Sequence, residues 1–178
     1  MLKVGDAAPD FSLRAGDGKT YSPKKLKGKR IVIYFYPKDN TPGCTIEGCA
    51  FRNNMAGFRD RNAVVLGVSA DSVESHKKFA ARYGLNFPLL SDAGGTVSKK
   101  YGVWKEKNFL GKKYMGIERS TFIIDGKGKI AAMFLKVNPL GHANAILNAL
   151  NLLKDAGPNK LKKKRSRRQD RIKIRIDC

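Results

Sequence analysis

Apolar residues change their spacing several times along the chain, and each change marks an element. Ile31 to Tyr36 is an unbroken run rich in β-branched and aromatic residues, which predicts a strand covered on both faces. Pro37 ends it. From Cys44 onward Ile46, Phe51, Met55 and Phe58 recur at roughly helical spacing before Asp60, so a polar loop and then a helix follow the strand. Ala63 to Val68 predicts a second buried strand. Asp71-Ser72 opens a helix whose Val73, Phe79, Ala80 and Tyr83 share a face and which stops at Gly84. Phe87-Pro88-Leu89-Leu90 reads as a short extended piece, and Thr96 to Tyr101 as a short helix stopped by Gly102.

Two hairpins frame this alternation. Near the start, Asp10 to Leu13 and Thr20-Tyr21 lie either side of Asp17-Gly18, a pair suited to a tight turn with positive φ. Ser22-Pro23 then reads as the cap and first position of a short turn ending near Gly28. Near the end, Ser120 to Asp125 and Ile130 to Leu135 are β-rich runs around Gly126-Lys127-Gly128, antiparallel strands that close the sheet. From Leu140 the pattern Ala143, Ile146, Leu147, Leu150, Leu153 makes an amphipathic helix ending at Gly157-Pro158. The order predicts an α/β fold, a central mixed β-sheet flanked by helices with an N-terminal hairpin. Residues 1–157 form the domain, and residues 158–178 a basic, disordered tail.

Charge changes the picture at that tail. The chain of 178 residues has 36 Lys+Arg against 15 Asp+Glu, a formal +21, and residues 160–178 carry ten basic and two acidic side chains. Such a block repels itself and stays extended. It reads either as a solvated extension or as an electrostatic arm for nucleic acid, an acidic membrane or a nuclear import receptor. The length suits one domain. No apolar run approaches the ~20 residues of a membrane span, and the N-terminus lacks a cleavable leader pattern. The expectation is a cytoplasmic protein, with the nucleus as the alternative for a eukaryotic chain because of the basic tail.

Three cysteines, Cys44, Cys49 and Cys178, are too few for a disulfide framework, so reactivity is the reading to pursue. A cysteine is nucleophilic as its thiolate, and the unpaired N–H groups at a helix start favour a negative sulfur. Cys44 falls at such a start. The preceding loop, Pro37 to Gly43, is rich in residues that fix backbone direction. Thr41 is placed to donate to the sulfur or to a bound oxygen and to accept from a reactant, or else to cap the helix. On an ideal helix the Cα atoms of Cys44 and Cys49 lie about 8.6 Å apart, beyond the ~7 Å limit for a disulfide. If the two pair during turnover, the first turns of the helix must unwind. Glu47 gains from the helix dipole but opposes ionisation of a neighbouring thiol unless it faces away.

The remaining candidates are weaker. His76 falls on the polar side of its helix and reads as solvated; His142 follows Gly141 at a helix start and reads as a local hydrogen-bonding group. Neither clusters with the cysteines, so no metal or other cofactor is expected. Tyr101, Trp104 and Phe109 read as core or core-edge residues, with a partner surface as the alternative. Cys178 reads as a free thiol.

The sequence Pro37-x-x-x-Thr41-x-x-Cys44, continued by Thr45-x-Glu47-x-Cys49, resembles the signature of the peroxiredoxins, specifically their bacterioferritin-comigratory or Q-type subgroup. The similarity runs from Ala8-Pro9-Asp10-Phe11 through Leu90-Ser91-Asp92 and Arg119-Ser120-Thr121-Phe122 to the final helix. It implies a thioredoxin-like fold and a monomeric thiol peroxidase acting on hydrogen peroxide and organic hydroperoxides. By the same resemblance Cys44 is the peroxidatic cysteine, Cys49 resolves it as an intramolecular disulfide, Thr41 hydrogen-bonds the peroxide, Pro37 shields the sulfur and Arg119 stabilises the thiolate. Thioredoxin or a similar dithiol is the implied reductant. A thioredoxin-type disulfide reductase is the competing reading, but its hallmark is Cys-x-x-Cys and here four residues intervene.

Overall fold

The computed structural model describes residues 1–153. The 158–178 tail, with Cys178, lies outside the described residues, and the last helix, predicted to run to Gly157-Pro158, already ends at Leu152, where Leu153 turns extended. The chain opens with the expected hairpin, β1 (Leu13–Arg14) against β2 (Thr20–Tyr21). A single 3₁₀ turn follows over Pro23–Leu26, and the Ser22 hydroxyl caps it by accepting from the Lys25 amide.

β3 (Arg30–Phe35) is the central strand of a five-stranded sheet. Its apolar run resolves into period two: Val32, Tyr34 and the following Tyr36 join one core cluster, and Ile31, Ile33 and Phe35 the other. Both faces are therefore covered, as a continuous hydrophobic strand requires. After it come α1 (Pro42–Asn53) and α2 (Met55–Asp60), then β4 (Ala63–Ser69) and α3 (Val73–Tyr83). Ser72 caps α3, and Gly84 closes it at φ +59, a conformation in which a side chain would strain the backbone. β5 (Leu89–Ser91) and α4 (Thr96–Lys100) complete this half.

A second hairpin then leaves the sheet, β6 (Trp104–Phe109) with β7 (Lys112–Ile117). Sequence periodicity gave no sign of it, because its strands are rich in charge and largely exposed. Its turn is local, with Leu110 at φ +50 and Gly111 at φ +79, the pair of positive angles that lets a two-residue loop follow strand twist. Tyr101 is buried and Trp104 half-buried against the core, so both are core or core-edge residues. β8 (Ser120–Ile124), β9 (Ile130–Leu135) and α5 (His142–Leu152) finish the described chain.

The sheet order is β5-β4-β3-β8-β9. β3, β4 and β5 run parallel, while β8 and β9 are antiparallel, so the predicted mixed sheet is present. Residues of α1, α2, α3 and α5 cover one face; α4, the first hairpin and the base of the second cover the other. Two expectations fail in detail. The helix read from Cys44 to Asp60 breaks at Asn54 into α1 and α2. Ile46 is exposed, and the buried positions of α1 are Cys44, Glu47, Gly48, Cys49 and Phe51. Residues 44, 47, 48 and 51 follow the i, i+3, i+4, i+7 spacing of a helical face, and Ile46 lies off it.

Candidate active site

Parallel β3 and β4 deliver their carboxyl ends to one edge of the sheet. The loop of residues 36–41 leaves β3 there and enters α1. β8 runs the opposite way, and its pairing of Ser120 with Phe35 brings the residue before it, Arg119, to that same edge. Seventy-five residues of sequence separation are closed by one strand register.

Cys44 stands at the third position of α1, after Thr41 at the cap and Pro42 at the first position. The proline has no N–H to leave unpaired, and helix geometry offers no acceptor to the next two amides, those of Gly43 and Cys44. The sulfur is 2% exposed and is the free cysteine among the described residues. Arg119 Nη2 donates to Cys44 Sγ at 3.2 Å, while Nη1 of the same guanidinium donates to Glu47 Oε2. One cation thus spans a thiol and a carboxylate one helical turn apart. Gly43 lies against this corner: a Cβ there would touch both Arg119 Nη2 and Pro139 Cγ at 3.4 Å, ordinary van der Waals distance.

Glu47 does not face away, as a harmless acid beside a thiolate would. It is wholly buried, and burial pushes its carboxyl up to about 7 against the pull of Arg119. Its second oxygen, Oε1, has no hydrogen-bond partner and stands 4.0 Å from His142 Nε2. His142 begins α5 and meets Thr121 Oγ1 on β8 at 2.8 Å, a bond across 21 residues of sequence rather than the local one expected of it. Burial and then the nearby Arg119 charge lower its pKa to about 4. Arg119 itself is held more basic than usual by Glu47 and Cys44, which together outweigh its desolvation.

The other candidates fall as follows. Thr41 takes the cap position with extended backbone, but its hydroxyl does not cap; it donates to the Lys38 carbonyl at 3.0 Å, which leaves its lone pairs for another donor. Pro37 is exposed at the start of the loop. Cys49 is buried on α1 and is not a free thiol. His76 contradicts its solvated reading: it is fully buried and bonded to Asp39. No group of three or more His, Cys, Asp or Glu side chains that could hold a metal ion occurs among the described residues. No helix among them is long and apolar enough to cross a membrane.

Sequence reasoning missed Glu47 as a buried partner of Arg119, although its position three residues after Cys44 carried the signal. It had no means of finding His142 or Thr121 beside it.

Comparison with known proteins bears on the family, the fold and the activity. Residues 4–133 match the model of the AhpC/TSA family. The putative peroxiredoxin bcp of Coxiella burnetii is 48% identical over 149 residues, 84% of this chain and 99% of that protein. Peroxiredoxin Bcp of Bacillus subtilis is 46% identical over 154 residues, 86% of this chain and 96% of that one. Among solved structures, the Xanthomonas campestris bacterioferritin comigratory protein, studied for its alkyl peroxide reduction, superposes with a TM-score of 0.78 at 42% identity, covering 85% of this chain and 97% of its own. A cysteine-to-serine variant of Xylella fastidiosa PrxQ gives 0.81 at 38% identity over 85% and 97%. The mixed sheet is thereby of the thioredoxin-like kind, and the chain belongs to the AhpC/TSA family, among its Bcp/PrxQ-type peroxiredoxins, as a thiol peroxidase.

Proposed function

We propose that Cys44 is the peroxidatic nucleophile and that Arg119, Thr41 and Pro37 serve its reaction with hydrogen peroxide and organic hydroperoxides. The observation that carries this reading is the Arg119 Nη2 to Cys44 Sγ contact of 3.2 Å at the start of α1. A guanidinium there favours the thiolate and faces the charge that develops as the O–O bond breaks. Thr41, whose proton is committed to Lys38, accepts from the peroxide hydroxyl, and Pro37 limits water at the loop. The thiolate attacks one peroxide oxygen: the S–O bond forms, the O–O bond breaks, and the leaving oxygen takes a proton to become water or an alcohol. Sulfur is oxidised to a sulfenic acid.

Cys49 then attacks that sulfur as a thiol, releasing water and forming an intramolecular disulfide. α1 runs unbroken through both cysteines, so its first turns unwind for this step. A thioredoxin-type dithiol reduces the disulfide by exchange. The names of the relatives support a peroxide substrate and such a reductant. The chain acts as a monomer, and its basic tail adds an arm for nucleic acid.

The test starts from fully reduced protein, treated with peroxide and a dimedone-type trap and read by mass spectrometry. The expected result is a 44-to-49 bridge in the native chain and trapped sulfenic acid at Cys44 in Cys49→Ser. A label on another cysteine, or none, overturns the assignment. For the arm, DNA binding that weakens steeply with salt and disappears on deletion of residues 160–178 is expected.

A further inference from the structure

In the loop from Pro37 to Thr41, Pro37, Lys38 and Asn40 are exposed and Thr41 is half-buried, while one residue is buried. Asp39 is 5% exposed, and its carboxylate is directed inward to a set of donors on other elements. Tyr36 donates its hydroxyl to Oδ1 at 2.7 Å, Ser75 donates to Oδ2 at 2.7 Å, and His76 Nδ1 lies 2.9 Å from Oδ2. The other nitrogen of His76, Nε2, reaches the Leu90 carbonyl on β5 at 3.1 Å, so the imidazole links the loop to the sheet. The backbone of Asp39 is held as well, its amide donating to Asp71 Oδ2 at 2.9 Å, and Asp71 accepts from Ser69 Oγ at 2.6 Å.

These contacts fix the loop from both sides. Immediately after Asp39 the chain takes a left-handed turn at Asn40, φ +58, a conformation that asparagine tolerates but that surrounding contacts must sustain. Thr41 follows in the extended conformation and α1 begins. The direction of Thr41 is therefore set by the anchorage of Asp39 two residues earlier. Although its burial opposes charge, hydrogen bonds and the attraction of His76 hold the Asp39 carboxyl below its usual range, as expected of a carboxylate with several donors. Every anchoring partner lies on β3, β4, β5 or α3 and the turns beside them, none on α1. The anchorage survives when α1 unwinds, and the helix has a fixed start from which to re-form.

We propose that Asp39 and His76 are positioning residues of the peroxidase reaction, holding the loop of Pro37 and Thr41 in register with the sulfur of Cys44. This rests on Cys44 being the nucleophile. Displacing a reactant-binding group by about 1 Å costs on the order of 100-fold in rate, whereas simple alkylation of a thiolate needs no partner on the loop.

The experiment compares two reactions of Cys44 in reduced wild type, Asp39→Asn and His76→Asn, with folding of each variant checked by thermal melting. Oxidation by hydrogen peroxide should slow by roughly 10- to 100-fold in both variants, while alkylation by iodoacetamide should change by less than about threefold. A parallel fall in both reactivities would reduce the network to general structure, and unchanged peroxide reactivity would remove it from the reaction; either result overturns the proposal. Failure of the underlying assignment looks different, because peroxide would then oxidise another cysteine in the wild type.

Discussion

Two buried polar clusters flank the loop of residues 37–41, and they are completed to different degrees. Around Asp39, the carboxylate has donors from Tyr36, Ser75 and His76, and both nitrogens of His76 meet oxygens. Around Glu47, Arg119 supplies a donor to one carboxylate oxygen, while the other oxygen has no partner. An unpartnered buried polar atom carries its desolvation cost uncompensated. The satisfied cluster lies where the chain needs a fixed direction. The unsatisfied one lies beside Cys44, the proposed nucleophile, where that role would require charge to move during turnover. On the proposed role of Cys44, rigidity and reactivity are divided between two sides of one loop.

The contrast is broken most severely at the sulfur itself. Cys44→Ser should abolish peroxide consumption, whereas Cys49→Ser should keep one full turnover per chain, measured by peroxide loss against enzyme concentration. Next comes the guanidinium. Arg119→Met should lower the rate of Cys44 oxidation by roughly 100- to 1000-fold, the usual effect of removing a charged donor from a site of developing charge. Arg119→Lys should recover only part of it, because an ammonium lacks the fork that spans two acceptors. Stopped-flow oxidation with peroxide distinguishes the three proteins. The effect should exceed that of Asp39→Asn, which displaces the loop without removing a contact to sulfur.

Titration sharpens the comparison further. Glu47, raised by burial to about 7 from an ordinary 4.5, holds its proton in the folded chain where an unfolded chain has lost it. Its contribution to stability is complete below pH 4.5 and is lost as pH rises through 7. His142, lowered by burial and Arg119 to about 4 from 6.5, has the opposite sign: its contribution is complete above pH 6.5 and is lost as pH falls through 4. Between pH 4.5 and 6.5 the two slopes oppose each other. Glu47→Gln should therefore uncover a rise in stability with pH across that window, and His142→Gln a fall, both read by urea denaturation. A variant with the wild-type slope would show that its residue does not titrate as described.

The smallest expected effects test completion directly. Ser75→Ala strips one donor from the Asp39 carboxylate and should cost about 1 to 2 kcal/mol. Ser120→Ala removes a buried hydroxyl that has no partner, and it should leave stability within about 0.5 kcal/mol or raise it. Melting curves of the two alanine variants suffice. Equal losses would contradict the distinction between a buried hydroxyl that has a partner and one that has none.

Much of this was legible in the sequence because local physics wrote it there. The double-faced burial of β3 follows from an uninterrupted apolar run, the ends of α3 from Ser72 and Gly84, and the helix-start position of Cys44 from the polar loop of residues 37–43 and the helical spacing that follows it. Arg119 required the family resemblance, since nothing in the chain distinguishes it among 36 basic residues. Ile46 misled because an apolar residue near a helix start was counted by type rather than by its angle on the helix. His76 misled for the converse reason, as a polar residue on a surface helix is buried here by a partner 37 positions away. The β6–β7 hairpin escaped because exposed, charged strands have no hydrophobic period to detect.

What the sequence determined by itself was most of the elements, the exposed β6–β7 hairpin excepted, their order and the one cysteine at a helix start, all consequences of interactions within a few residues. Tertiary structure decided which distant groups meet that cysteine. The antiparallel register of β8 on β3 brings Arg119 to the sulfur, and the parallel placement of β4 and β5 brings α3 and His76 to Asp39. Strand pairing is a long-range choice made by the whole core, so the partners of Cys44 and Asp39 exist only once the sheet is assembled.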